Sequence, residues 1–204
     1  MIKIIDYKAG NAPSVRHAIR RLGYEAVLVR TPKEIAEATH IILPGVGSAK
    51  ATMESLREMD FIGALEDAVL QQGTLFLGIC VGMQILFEHS EEENADCLGW
   101  LKGKVVKFDV SQVRVPQMGW NHVQFVKSTP CDARDDFFYF VNSYCAKPMT
   151  GTNLWGTADY GGLFAAAVCQ DNIYATQFHV EKSGEAGLAL LKGFLGLTKG
   201  ENLC

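Results

Sequence analysis

The 204 residues, 48% hydrophobic and 21% charged, suffice for one α/β domain with a substantial core and exclude an intrinsically disordered chain. A formal net charge of -4 and a pI near 5.7 leave no broad basic face, which excludes nucleic acid and anionic membrane as principal partners. "MIKIIDYKAG" lacks the apolar segment and cleavage site of an export signal, and no apolar run is long enough to span a bilayer, so a cytoplasmic location is expected.

In chain order, "IKII" reads as a strand. Val15, Ala18, Ile19 and Leu22 at i, i+3, i+4, i+7 mark a helix that Gly23 should stop, and "EAVLV" is the second strand. Thr31-Pro32-Lys33-Glu34 has the form of a capping box with proline at the first helical position, predicting a short helix towards Ala38. "HIILPGVG" reads as a buried strand ending in a glycine-rich turn. Helices are expected over residues 49 to 59 and 61 to 72, then the strand "TLFLGI". Strands this apolar belong in the middle of a sheet covered on both faces, which is the doubly wound arrangement.

From about Gly103 the pattern changes to "KVVKF", "WNHVQFV", "FFYFV", "LFAAAVC" and "IYATQF", strand-like segments joined by turns that suggest antiparallel or mixed pairing. Leu188, Leu191 and Leu195 give a last helix, from about Gly184 to Leu195, one apolar face. The acidic run "EHSEEENAD" is most simply a solvated loop. With no linker or repeat, residues 1 to 204 read as one domain: a single α/β, doubly wound mixed sheet with helices on both faces. Six cysteines are scattered without a CxxC pair or zinc spacing, so they read as reduced thiols and no metal or cofactor is expected.

Gly78-Ile79-Cys80-Val81-Gly82 has the G-x-nucleophile-x-G form of a strand-to-helix elbow. Such a turn strains the nucleophile's backbone, and flanking side chains would clash with the neighbouring strand and helix, which glycines avoid. It also sets the sulfur at a helix N-terminus, which favours thiolate, and offers the Val81 N–H as an oxyanion donor. A buried cysteine beside packing glycines would give the same letters.

Among the histidines at 17, 40, 89, 122 and 179, His179 stands out, because "ATQFHVEKS" sets Glu181 at i+2 near the end of a strand, whereas His17 and His122 have no acid at that spacing. Near a strand end the two would project from one face, the carboxylate fixing the imidazole's tautomer; an edge-strand surface pair is the alternative. "PGVG", residues 44 to 47, could present a second oxyanion donor or simply be a tight turn. No phosphate or dinucleotide loop motif occurs.

With Cys80, His179 and Glu181 in this order, the chain resembles the triad glutamine amidotransferases, and among them the glutaminase subunits of imidazole glycerol phosphate synthases. The match runs nearly end to end, through "IDYKAGN", "LPGVGSA", "LGICVGMQILFEHSEE", "VPQMGWN", "FYFVNSY" and "QFHVEKS". The resemblance implies that Cys80 attacks the glutamine amide, His179 protonates the departing ammonia and Glu181 orients His179. It implies an oxyanion hole from Val81 with the backbone near Val46 and Gly47, the latter after a peptide rearrangement. Gln84 and Glu92 match positions that hold the substrate's amino-acid end, and Asn142, Ser143 and Tyr144 match its pocket wall.

The same resemblance implies a (β/α)8-barrel cyclase partner, in a heterodimer, that receives the ammonia and holds the nucleotide acceptor. Asn11, Trp120 and Lys182 match interface positions; taken singly they could be a helix cap, a core aromatic and a solvated lysine. Lys8 stands where glycine is frequent, Gln117 and Asn142 where histidines are frequent, and Val180 where proline is usual. A paralogous subunit feeding another synthase, for instance in surface-sugar synthesis, would keep the triad and vary such positions.

Overall fold

The computed structural model describes residues 1–8, 11–129, 131, 133–147 and 153–200. Strands β1 (Ile2–Ile5), β3 (His40–Gly45) and β4 (Leu75–Cys80) are buried along their whole length, as apolar runs covered on both faces must be. With β2 (Ala26–Val29) at the edge and β13 (Ile173–Thr176) beyond β4, they form a parallel sheet in the order β2-β1-β3-β4-β13. The step from β1 to β2 runs one way along the sheet and that from β3 to β4 the other. Right-handed crossovers therefore put α1 (Ala12–Arg21) on one face and α2 (Ala49–Glu58) with α3 (Phe61–Glu66) on the other. At the carboxyl ends of the parallel strands, where ligands bind in open α/β sheets, β3 and β4 finish side by side, Gly45 in register with Cys80, the last residue of β4.

The second half extends this sheet with antiparallel strands, as its turn-punctuated pattern led us to expect. β12 (Leu163–Gln170) pairs antiparallel with β13 and leads to β10 (Tyr144–Ala146) and β7 (Lys104–Lys107). A branch of β11 (Leu154–Asp159), β8 (Gln117–Phe125) and β9 (Asp136–Asn142) hangs from β12. The last helix, α5 (Gly184–Leu195), buries Leu188, Leu191 and Leu195 and packs with α1. No helix among the described residues is long and apolar enough to cross a membrane.

Several local expectations change. The Thr31 capping box forms, but it starts only a single 3-10 turn, Pro32–Ile35, after which Glu37 takes a positive φ of 62°. The apolar run after Cys80 is helical for one turn only, α4 (Val81–Gln84). The carbonyls of Ile85, Leu86 and Phe87 accept instead from the backbones of Leu98, Leu101 and Gly99, which diverts them from a helical ladder. The acidic run is no simple solvated loop either: β5 (His89–Ser90) and β6 (Ala95–Asp96) pair across it, with Ser90 fully buried. Cys80, Cys97, Cys131 and Cys145 are free thiols. Cys169 is disulfide-bonded, where a reduced thiol was expected.

Candidate active site

The elbow is built by close packing that only glycine permits. Cys80 sits at φ 56°, ψ -110°, a conformation that costs an L-residue about 1–3 kcal/mol and persists only where the surroundings hold it. A Cβ on Gly78 would lie 2.6 Å from the Gly82 carbonyl oxygen, and one on Gly82 would lie 2.0 Å from that of Leu43. A third glycine, Gly45 of β3, completes the turn: it pairs in register with Cys80, and a Cβ there would meet the Gly82 nitrogen at 2.5 Å and the Val81 Cβ at 2.7 Å. Sequence spacing singled out the two glycines inside the motif. It could not show that the first glycine of "PGVG" packs against the elbow from the neighbouring strand.

His179 reaches the sulfur by a route that differs from the expected strand alternation. β13 ends at Thr176, and His179 caps a 3-10 turn, Val180–Lys182, which carries Glu181. The turn is pinned to β9: the His179 N–H donates to the Tyr139 carbonyl (3.0 Å), the Ser183 hydroxyl donates to the His179 carbonyl (2.7 Å), and the Tyr139 N–H donates to the Ser183 oxygen (2.9 Å). His179 Nδ1 then lies 2.9 Å from Glu181 Oε1, with both side chains almost wholly buried. An ionised carboxylate there places the ring proton on Nδ1 and leaves Nε2 for the cysteine.

Burial pushes the His179 pKa down, but the Cys80 and Glu181 side chains outweigh it and raise the value to about 10. Burial likewise pushes Glu181 up and is outweighed by His179 and Asn11, so this carboxylate is held below its usual range. Asn11 precedes α1 at the capping position yet makes no side-chain cap bond; its Nδ2 donates to Glu181 Oε1 at 2.8 Å. Asn11, which the resemblance puts at a partner interface and which alone could be a helix cap, thus contacts Glu181.

A cavity of about 330 Å³ opens beside the sulfur, and its lining includes Cys80, Val81, His179, Val46, Gly47, Gln84, Glu92, Asn142, Ser143, Tyr144 and Lys182. Cys80, His179 and the expected oxyanion and pocket residues therefore share one space, while Glu181 does not line it and touches it only through His179. Gly47 has φ 95° with open space around its Cα, so its glycine is required by backbone torsion and not by crowding. Glu92 is folded back from the β5–β6 turn to accept the Ala49 N–H at the start of α2 (2.9 Å), and burial raises its pKa. Gln84 is buried and donates to the Tyr144 carbonyl (3.0 Å), which also accepts from Asn142 Nδ2 (3.0 Å).

Gln117 and Asn142, two of the departures from the family pattern, are register partners across β8 and β9, and both are buried. Trp120 is no core aromatic: it is 55% exposed and meets Tyr139 edge-to-face at 5.9 Å. Lys182 is exposed at the cavity rim. Reasoning from the letters missed Gln177, which is fully buried with Nε2 3.7 Å from the Cys80 sulfur. Its only signal was its place two residues before His179.

A strained cysteine at the carboxyl end of a central parallel strand, with a buried histidine–glutamate pair beside it and a cavity open to the sulfur, is an arrangement suited to thiol-dependent acyl transfer on a doubly wound sheet. The chain belongs to the class-I glutamine amidotransferase family, whose description matches residues 3–196. It is 41% identical over 199 residues to "Imidazole glycerol phosphate synthase subunit HisH 2" of Methanococcus maripaludis, covering 96% of this chain and 98% of that one. It is 42% identical to subunit HisH 1 of Campylobacter jejuni, over 97% of this chain and all of that one. Among solved structures, a glutamine amidotransferase superposes with TM-score 0.76 at 19% identity, covering 95% of this chain and 96% of that one. PurLQS from Thermotoga maritima gives 0.73 at 20% identity, covering 95% and 96%. At such identities the structures speak for the fold alone.

Proposed function

We propose that the chain hydrolyses glutamine to glutamate and ammonia through Cys80, His179 and Glu181, as the glutaminase subunit of an imidazole glycerol phosphate synthase. The observation that carries the chemistry is that Cys80 at its elbow and His179, held from behind by Glu181, line one cavity. The near full-length kinship with HisH subunits supports the pathway.

The Cys80 proton passes to His179 Nε2, and the thiolate attacks the side-chain amide carbon of glutamine. The carbonyl electron pair moves to oxygen, where the Val81 N–H and the backbone at Val46 and Gly47 receive it. As the intermediate collapses, the C–N bond breaks and His179 returns its proton to the leaving ammonia. Water, deprotonated by the same imidazole, attacks the thioester; the C–S bond breaks and glutamate departs. Glu181 holds the Nδ1 proton and stabilises the imidazolium throughout. Glu92 carries a charge suited to the substrate's ammonium group, and Gln84, Asn142, Ser143 and Tyr144 shape the wall around its chain.

The released ammonia is consumed by a partner subunit, which we take to be a (β/α)8-barrel cyclase in a heterodimer, working in the cytoplasm without nucleic acid, membrane, metal or cofactor in this chain. Its acceptor is a ribulosyl aminoimidazole-carboxamide nucleotide, converted to imidazole glycerol phosphate for histidine synthesis and an aminoimidazole-carboxamide ribonucleotide. The exposed apolar residues Met118, Trp120 and Phe137 on β8 and β9, next to cavity residues Val141 and Lys182, support docking on this face. Trp120 and Lys182 belong to that contact, and Asn11 lies behind it.

The test is glutamate release by the purified chain, alone and with the cyclase and its nucleotide, with Cys80→Ala as control. Stimulation that vanishes in Cys80→Ala is expected. Cys80-dependent hydrolysis indifferent to this cyclase would assign the chain to a different synthase, the reading to which the departures at Lys8, Gln117, Asn142 and Val180 lean.

A further inference from the structure

A directional chain of side-chain amides ends on the nucleophile. Gln84 Nε2 has two N–H groups, and both are committed: one to the Tyr144 carbonyl at 3.0 Å and one to Gln177 Oε1 at 2.9 Å. A backbone carbonyl cannot donate, so turning the Gln84 amide over would set two acceptors face to face. With Gln84 so fixed, Gln177 must present its oxygen to Gln84. Its NH2 group is thereby delivered to the Cys80 sulfur, at 3.7 Å. Gln177 has no solvent exposure, so water cannot replace either contact.

We infer that Gln177 is a further catalytic residue: its side-chain N–H donates to the Cys80 sulfur and stabilises the thiolate. The inference rests on Cys80 being the nucleophile. A neutral thiol is a poor acceptor, whereas a thiolate accepts a charge-assisted hydrogen bond, so the contact favours the charged form. Apart from His179, the thiol's other acceptor, the Val141 carbonyl at 3.9 Å, is longer and weaker. When sulfur bonds to the substrate carbon, charge leaves it for the carbonyl oxygen and the Gln177 contact weakens. When the C–S bond of the thioester breaks, the electron pair returns to sulfur and the contact re-forms. No proton leaves Gln177 in either step. The donor therefore helps twice, in forming the nucleophile and in expelling it as a leaving group.

Sequence pattern alone could not show this, because Gln177 is two residues from His179 in the chain but is oriented by Gln84, from another element. The other described free thiols make its test clean: burial pushes Cys97, Cys131 and Cys145 up to about 11, 12 and 11, so they react slowly at neutral pH.

The experiment is the pH dependence of Cys80 alkylation by iodoacetamide, followed by peptide mass spectrometry, in the wild-type chain, Gln177→Met and Gln177→Glu, with glutamate release measured alongside and in Cys80→Ala. Methionine keeps the volume but removes the donor. We expect alkylation at pH 7 to fall about tenfold and the half-maximal pH to rise by about one unit, with thioester accumulating during turnover. Glutamate at 177 keeps an acceptor for Gln84 but sets an oxygen against the sulfur. It should move the profile further in the same direction, and it carries the test if Gln177→Met does not fold. A Cys80 profile unchanged in a folded variant overturns the role of Gln177 while leaving the nucleophile intact. Glutamate release that survives in Cys80→Ala instead overturns the nucleophile itself.

Discussion

Replacing Gly45 by alanine tests whether the elbow is held from outside the motif. A Cβ at this position would lie 2.5 Å from the Gly82 nitrogen, 2.7 Å from the Val81 Cβ and 2.9 Å from the Val81 carbonyl carbon, against the 3.4 Å at which ordinary contact begins. Two of the three are backbone atoms, so no side chain can swing aside; β3 and the elbow must separate by about 1 Å. Overpacking of this kind costs about 1–3 kcal/mol of stability. The same displacement moves the sulfur relative to His179, and a misplacement of about 1 Å in a catalytic group costs about 100-fold in rate. Gly47→Ala serves as the contrast. It meets no atom within 4 Å but sits at φ 95°, so it should cost about 1–2 kcal/mol of local strain. Thermal melting and glutamate release on both variants, with the partner subunit present, provide the assay. Gly45→Ala is expected to lose both stability and activity. Wild-type activity with an unchanged melting temperature in that variant would show that the elbow does not depend on β3.

Asn11→Ala removes a neutral donor from a buried carboxylate, a bond of about 1.5–3 kcal/mol; kcat should drop about tenfold with little change in KM for glutamine, which steady-state kinetics will read. The protonated form of His179 persists up to a pKa of about 10 and is lost as pH rises through it. Glutaminase activity should therefore decline with a midpoint near that pH, since the leaving ammonia then finds no proton. In Glu181→Gln the carboxylate that helps raise the value is gone, and a pH–rate profile should place the decline at lower pH with reduced kcat. Ser183→Ala breaks two bonds that pin the His179 turn to β9, at 2.7 and 2.9 Å. Chemical denaturation should report a loss of about 1–3 kcal/mol, accompanied by slower turnover.

Much of this molecule is legible in its letters, because several of its constraints are local. The apolar runs at residues 2 to 5, 40 to 45 and 75 to 80 have to be central strands, since no other placement covers both faces. Gly78 and Gly82 flank Cys80 because a sharp turn leaves no room for a Cβ. The same locality explains the failures. The apolar run after Cys80 has helical spacing, yet its carbonyls are claimed by residues 98 to 101 after one turn. Glu92 belongs to a run whose charge density suggests solvent, yet the β5–β6 turn brings it to the first amide of α2. His179 and Glu181 were paired correctly for the wrong reason: a 3-10 turn, held by Ser183 and β9, brings them together after the strand has ended.

The sequence by itself determined the doubly wound core, the strand-to-helix elbow at Cys80 and the family, because strand burial and turn sterics depend on residues close together in the chain. Only the tertiary structure decided that Gly45 backs the elbow, that Asn11 abandons its helix cap for Glu181, and that Gln177 is turned towards the sulfur by Gln84. Each of these is a hydrogen bond or a steric contact between residues 36 to 170 positions apart. Contacts of that range leave no periodicity to read, since they exist only once the sheet order and the strand register have brought the two surfaces together.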